Sequence, residues 1–151
     1  MHNTKVKELM TEHPVLIGPD ATLYEAAQKM KEIDCGMLPV GTDKKLEGII
    51  TDRDIIIRAI SQGKDPKKEC VKDYMTKNVY ACNENDFLED AADRMRSHAV
   101  GRLVVRDGKG RVTGVLSFGG ILRRETSAED IANVVKHAVG AERAEISGTR
   151  K

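Results

Sequence analysis

Tryptophan is absent from the 151 residues, and the aromatic side chains amount to three tyrosines and two phenylalanines. So sparse a set offers few platforms on which the bases of a single-stranded nucleic acid could stack. A formal net charge of +1 leaves no electrostatic footprint for a nucleic acid or an anionic membrane, so neither is expected as a partner. No apolar run approaches the roughly 18 residues of a membrane-spanning helix. The opening stretch MHNTKVKELM lacks the apolar centre of a secretion signal, and a cytoplasmic location is expected. The three cysteines, Cys35, Cys70 and Cys82, form no C-x-x-C pair, and their odd number argues against a closed disulfide framework. Ordinary, mostly buried thiols are expected. His2, His13, His98 and His137 show neither HxxxH nor HExxH spacing, so no metal site is predicted. No nucleophile, base and orienting group stand together, so no catalytic residue is predicted and the chain reads as a non-enzyme.

What the chain does have is repetition. VKELMT (Val6 to Thr11) returns as VKDYMT (Val71 to Thr76), LYEAAQKM (Leu23 to Met30) as LEDAADRM (Leu88 to Met95), and CGMLPV (Cys35 to Val40) as VGRLVV (Val100 to Val105). The offset is 65 through these blocks and becomes 66 after the turn, because RDGKGR is one residue longer than GTDKK. Matches in constant order at a near-constant offset mark an internal repeat, and so long a period implies a duplicated compact unit rather than a solenoid. Hydrophobic content of 40% against 32% charged is enough apolar material for a packed core.

Each copy reads as β-α-β-β-α. PVLI (Pro14 to Ile17) and VYAC (Val79 to Cys82) are short strand candidates. Leu23, Ala26, Ala27, Met30 and Ile33 follow with helical spacing on one face. Thr22 with Glu25 predicts a capping box at that helix start, and Asp86 with Glu89 predicts its counterpart. MLPV and LEGIIT, or RLVVR and VTGVLS, form hairpins. DRDIIIRAI (Asp52 to Ile60) and GGILRRE (Gly119 to Glu125) form the last helices. The expected boundaries are a first unit over 1–62, a polar linker over 63–70, a second unit over 71–126, and a C-terminal helix and tail over 127–151. SAEDIANVVKHAV (Ser127 to Val139) carries a Ser-x-x-Asp cap and an apolar stripe; the residues beyond it are expected to fray.

One repeated phrase is asymmetric. GIITDRDI (Gly48 to Ile55) carries Asp54 where GVLSFGGI (Gly114 to Ile121) carries Gly120. A carboxylate in the first turn of a helix can accept hydrogen bonds from both hydroxyls of a ribose, as acidic residues do in dinucleotide-binding folds, and the helix N-terminus favours a nearby phosphate. Thr51-x-x-Asp54 is equally a plain N-cap with an acid at the third position. On the residues alone both readings stand, and one side chain can serve both.

The repeated order, the MT before the first strand, LPV in the hairpin and GIITDRDI after it resemble a tandem pair of CBS domains (named after cystathionine β-synthase), a Bateman module, over about residues 5 to 125. The resemblance implies an α+β fold of two βαββα units packed about a pseudo-two-fold axis, followed here by a C-terminal helix, and a homodimer that brings four such units together. It implies clefts for AMP, ADP or ATP, with S-adenosylmethionine or NAD(H) as further ligands, no required cofactor, and regulation of a separate partner protein. Carried over, Thr51, Arg53 and Asp54 would face Tyr80, Ala81, Val100, Gly101 and Arg102, with Tyr80 and Val100 bordering adenine. Arg102 then contacts phosphate or is simply a solvated strand-end charge. A second, weaker cleft would join Ser117 to Val15, Leu16, Cys35, Met37 and Pro39, without the ribose carboxylate because Gly120 has replaced it. Arg53, Arg58, Arg123 and Arg124 add positive charge around the two last helices. The alternative is a scaffold or dimerisation protein with vestigial clefts.

Overall fold

The computed structural model describes residues 4–12, 15–42, 44–124 and 127–149, with side chains described as far as Ala138 in the last stretch. Its elements are α1 (Val6–Leu9), β1 (Thr11–Glu12), α2 (Leu23–Ile33), β2 (Met37–Gly41), β3 (Leu46–Thr51), α3 (Asp52–Asp54), β4 (Ala81–Asn83), α4 (Leu88–His98), β5 (Arg102–Arg106), β6 (Val112–Ser117), α5 (Phe118–Arg124) and α6 (Ala128–Thr149). The class is α+β. The chain forms two compact units, His13–Val79, and Tyr80–Lys151 together with Met1–Glu12. These units do not coincide with the sequence repeats, because each takes its leading VKELMT-type segment from the other copy.

In the 13–79 unit the expected capping box is present: Glu25 N donates to Thr22 Oγ1 at 3.1 Å and Thr22 N donates to Glu25 Oε1 at 3.2 Å. Leu23, Ala26 and Met30 face a core that also holds Ile17, Leu38, Val40, Ile50 and Val71. Strands β2 and β3 pair antiparallel with Met37 opposite Thr51. A bulge at Val40/Gly41 puts Gly41 at φ 120, where a Cβ would lie 2.3 Å from the Lys45 carbonyl, so only glycine fits there. Of the expected strand over 14–17, Pro14 lies outside the described residues and Ile17 makes a parallel bridge to Val40. The segment read as a linker belongs to this unit: Leu23 N donates to Glu69 O and Tyr24 N to Pro66 O, both at 3.0 Å, so it satisfies the first turn of α2.

The helix expected over Asp52–Ile60 begins as α3, continues as a π-helical segment Ile55–Ala59 and ends in a 3₁₀ turn, Ile60–Gln62. Three consecutive isoleucines are weak α-formers, since branching at Cβ restricts χ1. The counterpart α5 is regular and starts one residue earlier than expected; Glu125 lies outside the described residues.

In the other unit one sheet runs in the order β1-β6-β5-β4, with β4 parallel to β5 and the other pairs antiparallel. Its core includes Val6, Leu88, Ala92, Leu103, Leu116, Ile121 and Val134. The N-terminal segment is tied in by Val6 N to Asp86 O and Lys7 N to Glu84 O, both 2.9 Å. The second capping box is not formed. Phe87 occupies the N-cap, and the Asp86 carboxylate instead accepts the Asn83 N–H at 2.9 Å. Helix α6 continues to Thr149, beyond the expected end at Val139.

Candidate functional site

Thr51 ends β3 in extended conformation, and the chain turns there into α3. The turn is closed by two reciprocal hydrogen bonds, Asp54 N to Thr51 Oγ1 and Thr51 N to Asp54 Oδ2, each 3.0 Å. The capping reading of Thr51-x-x-Asp54 is therefore realised. Asp54 is 9% exposed and is the buried charged residue among the described residues. Its Oδ1 is less well engaged than Oδ2: the Thr76 hydroxyl lies at 3.4 Å and Arg58 Nε at 3.7 Å. Arg58 also donates through Nη1 to the Tyr74 carbonyl at 3.1 Å. Arg53 is exposed.

The other unit performs the same construction without the acid. Ser117 Oγ accepts the Gly120 N–H at 2.9 Å. Arg124, the counterpart of Arg58, donates through Nη1 to the Leu9 carbonyl at 2.7 Å and through Nη2 to Thr11 Oγ1 at 3.2 Å. Thr11 is the counterpart of Thr76. Where Asp54 stands between an arginine and a threonine, Gly120 leaves the two to bond directly. Thr76 and Thr11 were not singled out from the sequence as site residues. The signal was present, since the MT pair precedes the first strand in both copies at the same offset.

The remaining candidates fall into two sets. In the 13–79 unit Val15, Leu16 and Cys35 are half-buried and Pro39 is buried. Cys35 Sγ donates to the Met37 carbonyl at 3.5 Å. Met37 is 1% exposed and lies opposite Thr51 across the hairpin. In the other unit Arg102 lies opposite Ser117 in the same register. The Tyr80 ring stacks on His98, centroids 3.9 Å apart and planes 13° from parallel, so His98 is the neighbour of a candidate base platform. The Ala81 carbonyl accepts Arg94 Nη1 at 2.6 Å. Val100 is half-buried, whereas Gly101 is exposed, with no atom within 4 Å of where a Cβ would stand.

Cys35, Cys70 and Cys82 are free. Burial pushes the Cys82 thiol up to about 12, which keeps it protonated and unreactive at neutral pH. Among the described residues no group of three His, Cys, Asp or Glu side chains could hold a metal ion, and no helix is long and apolar enough to cross a membrane.

The family model for the CBS domain matches residues 6–60 and 71–127. The CBS domain-containing protein YhcV of Bacillus subtilis is 32% identical over 132 residues, which cover 87% of this chain and 93% of YhcV. Among solved structures, CBSX2 in complex with AMP aligns with a TM-score of 0.62 at 26% identity, covering 80% of this chain and 94% of that one. The CBS domain pair of protein MJ0100, in complex with 5′-methylthioadenosine and S-adenosyl-L-methionine, aligns with a TM-score of 0.68 at 28% identity, again covering 80% and 94%.

Proposed function

The chain belongs to the CBS-domain family, with two copies of the domain, and from that premise we propose that it is a non-catalytic regulatory module that binds one adenosine compound per chain and acts on a separate partner protein. Two similar structures hold such compounds, AMP in CBSX2, and 5′-methylthioadenosine with S-adenosylmethionine in the MJ0100 pair. The observation that carries the reading is the state of Asp54. One oxygen is committed to the Thr51 amide at 3.0 Å, while the other has contacts at 3.4 and 3.7 Å and keeps lone-pair capacity for a hydroxyl donor. A ribose hydroxyl would make a charge-assisted bond there, the stronger kind.

In this proposal Thr51, Arg53 and Asp54 of the first repeat bind ribose and phosphate. Tyr80, Ala81, Val100 and Gly101 of the second border the base, and Arg102 meets phosphate. The Ser117 set, with Val15, Leu16, Cys35, Met37 and Pro39, lacks a ribose carboxylate and binds more weakly. The module works as a cytoplasmic homodimer, and the ligand shifts a conformational equilibrium by its differential affinity for the two states.

Titration calorimetry with AMP, ADP, ATP, S-adenosylmethionine and NADH tests this. One compound should bind about once per chain, and Asp54→Asn should weaken it by about tenfold or more, as the loss of a charged hydrogen bond of roughly 1.5–3 kcal/mol requires. No binding to folded protein overturns it. A second reading, a scaffold with vestigial clefts, is favoured by the structural employment of Asp54 itself, which caps α3 and also meets Thr76 and Arg58. It would be supported if Asp54→Asn altered stability while no ligand bound to either protein.

A further inference from the structure

Helix α4 sends two exposed side chains, one turn apart, onto the residues proposed to border the base. The imidazole of His98 lies flat on the Tyr80 ring, with 3.9 Å between centroids and planes 13° from parallel. Arg94 donates through Nη1 to the Ala81 carbonyl at 2.6 Å. Tyr80 is half-buried and packs against the core of its unit, so the exposed His98 covers the outward surface of the ring. A flat heterocycle stacked on a tyrosine and an N–H given to the neighbouring carbonyl are the two contacts an amino-bearing purine would make there.

The fold does not require this ring pair. At the repeat offset of 65, Tyr80 and His98 match Val15 and Ile33, and those two are half-buried aliphatic side chains packed against the core of the 13–79 unit. The same two places hold plain apolar packing in one copy and stacked rings, one of them exposed, in the other. The covering side chains also have somewhere to go. An open groove of about 490 Å³ lies beside them, lined by Arg94, Ser97 and His98 and by Asp86, Asp90 and Asp93. Asp86 accepts the Asn83 amide and Asp93 meets His137, but a carboxylate has lone pairs for more than one donor. A guanidinium or imidazole N–H turned off the platform therefore meets charged acceptors in the groove.

We propose that Arg94 and His98 are an internal stand-in for the base: in the free protein they occupy its stacking surface and its hydrogen-bond acceptor, and adenine binds by displacing both. The inference rests on the proposed adenosine-binding reading and deepens it, making the two side chains determinants of affinity and specificity. His98 sets the affinity, because the stack it makes with Tyr80 is lost when a base takes its place. Arg94 sets the specificity. A base that offers an amino group replaces the Arg94 bond to the Ala81 carbonyl, whereas a base with an oxygen at that position leaves the carbonyl without a donor. The sign of the effect separates this role from a supporting one. A residue that merely positions Tyr80 helps binding, and a residue that holds the base's place opposes it.

The test is titration calorimetry of the full-length chain with AMP, ATP and S-adenosylmethionine, joined to NMR of the histidine rings. His98→Ala, an exposed change that leaves the core alone, should tighten binding of an adenosine compound about two- to tenfold, the worth of one aromatic pair. His98→Phe, which keeps a ring over Tyr80, should bind no better than wild type. Arg94→Ala should raise the preference for that compound over its inosine counterpart, which carries an oxygen in place of the amino group; the comparison cancels whatever Arg94 contributes through phosphate. The His98 ring protons, assigned by their loss in His98→Ala, should be shielded by Tyr80 in the free protein and lose that shielding at saturation. Binding that His98→Ala leaves unchanged or weakens, an unchanged preference in Arg94→Ala, or His98 signals that stay put at saturation would overturn the inference and leave the proposed function standing. If none of the three compounds binds to wild type or to His98→Ala, the inference and the proposed function fall together.

Discussion

Asp54 carries more than one duty at the scale of a single side chain. It accepts its own cap amide, and it stands between Thr76 and Arg58. Asp54→Ala should therefore cost about 1–2 kcal/mol of stability by loss of the cap and of a buried acceptor, read by urea denaturation of wild type and variant. Cys82 offers a cleaner chemical test. Its thiol is raised from 9.0 to about 12 by burial, with the Asp86 charge adding to it, so at neutral pH it holds about a thousandfold less thiolate than an ordinary cysteine. Iodoacetamide followed by peptide mass spectrometry should leave Cys82 unlabelled in the native protein and label it once the chain is unfolded. Tyr74 donates its hydroxyl to Glu69, which lifts it from 10.0 to about 12. The folded state thus holds this proton more tightly than the unfolded one. Its contribution to stability is whole below pH 10.0 and is lost as pH rises to about 12. Tyr74→Phe should flatten that alkaline loss in denaturation curves taken across the window.

Glycine placement governs the elements around the hairpins. A Cβ on Gly48 would lie 2.6 Å from the Thr76 carbonyl, and one on Gly114 would lie 2.7 Å from the Thr11 carbonyl. In each unit the MT segment crosses the middle of the last strand, as the Ile49↔Thr76 bridge and the Thr11↔Val115 pairing describe. Backbone cannot yield as a flexible side chain can, so Gly48→Ala and Gly114→Ala should each cost about 1–3 kcal/mol, measured by thermal unfolding. The same crossing explains why the two phrases recur together in the sequence. Legibility at this scale followed the range of the interaction. Helix α2 and its Thr22–Glu25 box could be read because every partner lies within one turn. The Asp86–Glu89 box misled because Asp86 had a competing local donor, the Asn83 amide. The π-helical segment was hidden because one turn of apolar spacing does not separate it from an α-helix. Strand β1 was hidden because its pairing partner lies far along the chain.

The two compact units are the repeats with their first segments exchanged. The repetition was visible from sequence alone, since VKELMT and VKDYMT match; which unit each segment completes was not, because both offer a valine, a large apolar or aromatic residue and a methionine at the same spacing. The asymmetry of the candidate site, Asp54 against Gly120, was legible at once. The direct Arg124–Thr11 contact that fills the gap depends on a pairing that only folding creates. Deleting residues 1–12 should remove Val6 from the core and β1 from the sheet edge. Hydrogen exchange should then accelerate across β5 and β6 while the amides of β2 and β3 keep their protection.

The exchange also sets a timetable for synthesis. Thr11–Glu12 leave the ribosome before the 13–79 unit, but the strand they pair with, Val112–Ser117, leaves after it. The 13–79 unit has all its strands once Thr76 has emerged, so that unit is free to mature while Thr11–Glu12 wait for β6. A nascent chain halted before β6 would hold Val6 and Thr11–Glu12 without the sheet edge that β6 supplies, and this exposed apolar segment would mark it as unfinished.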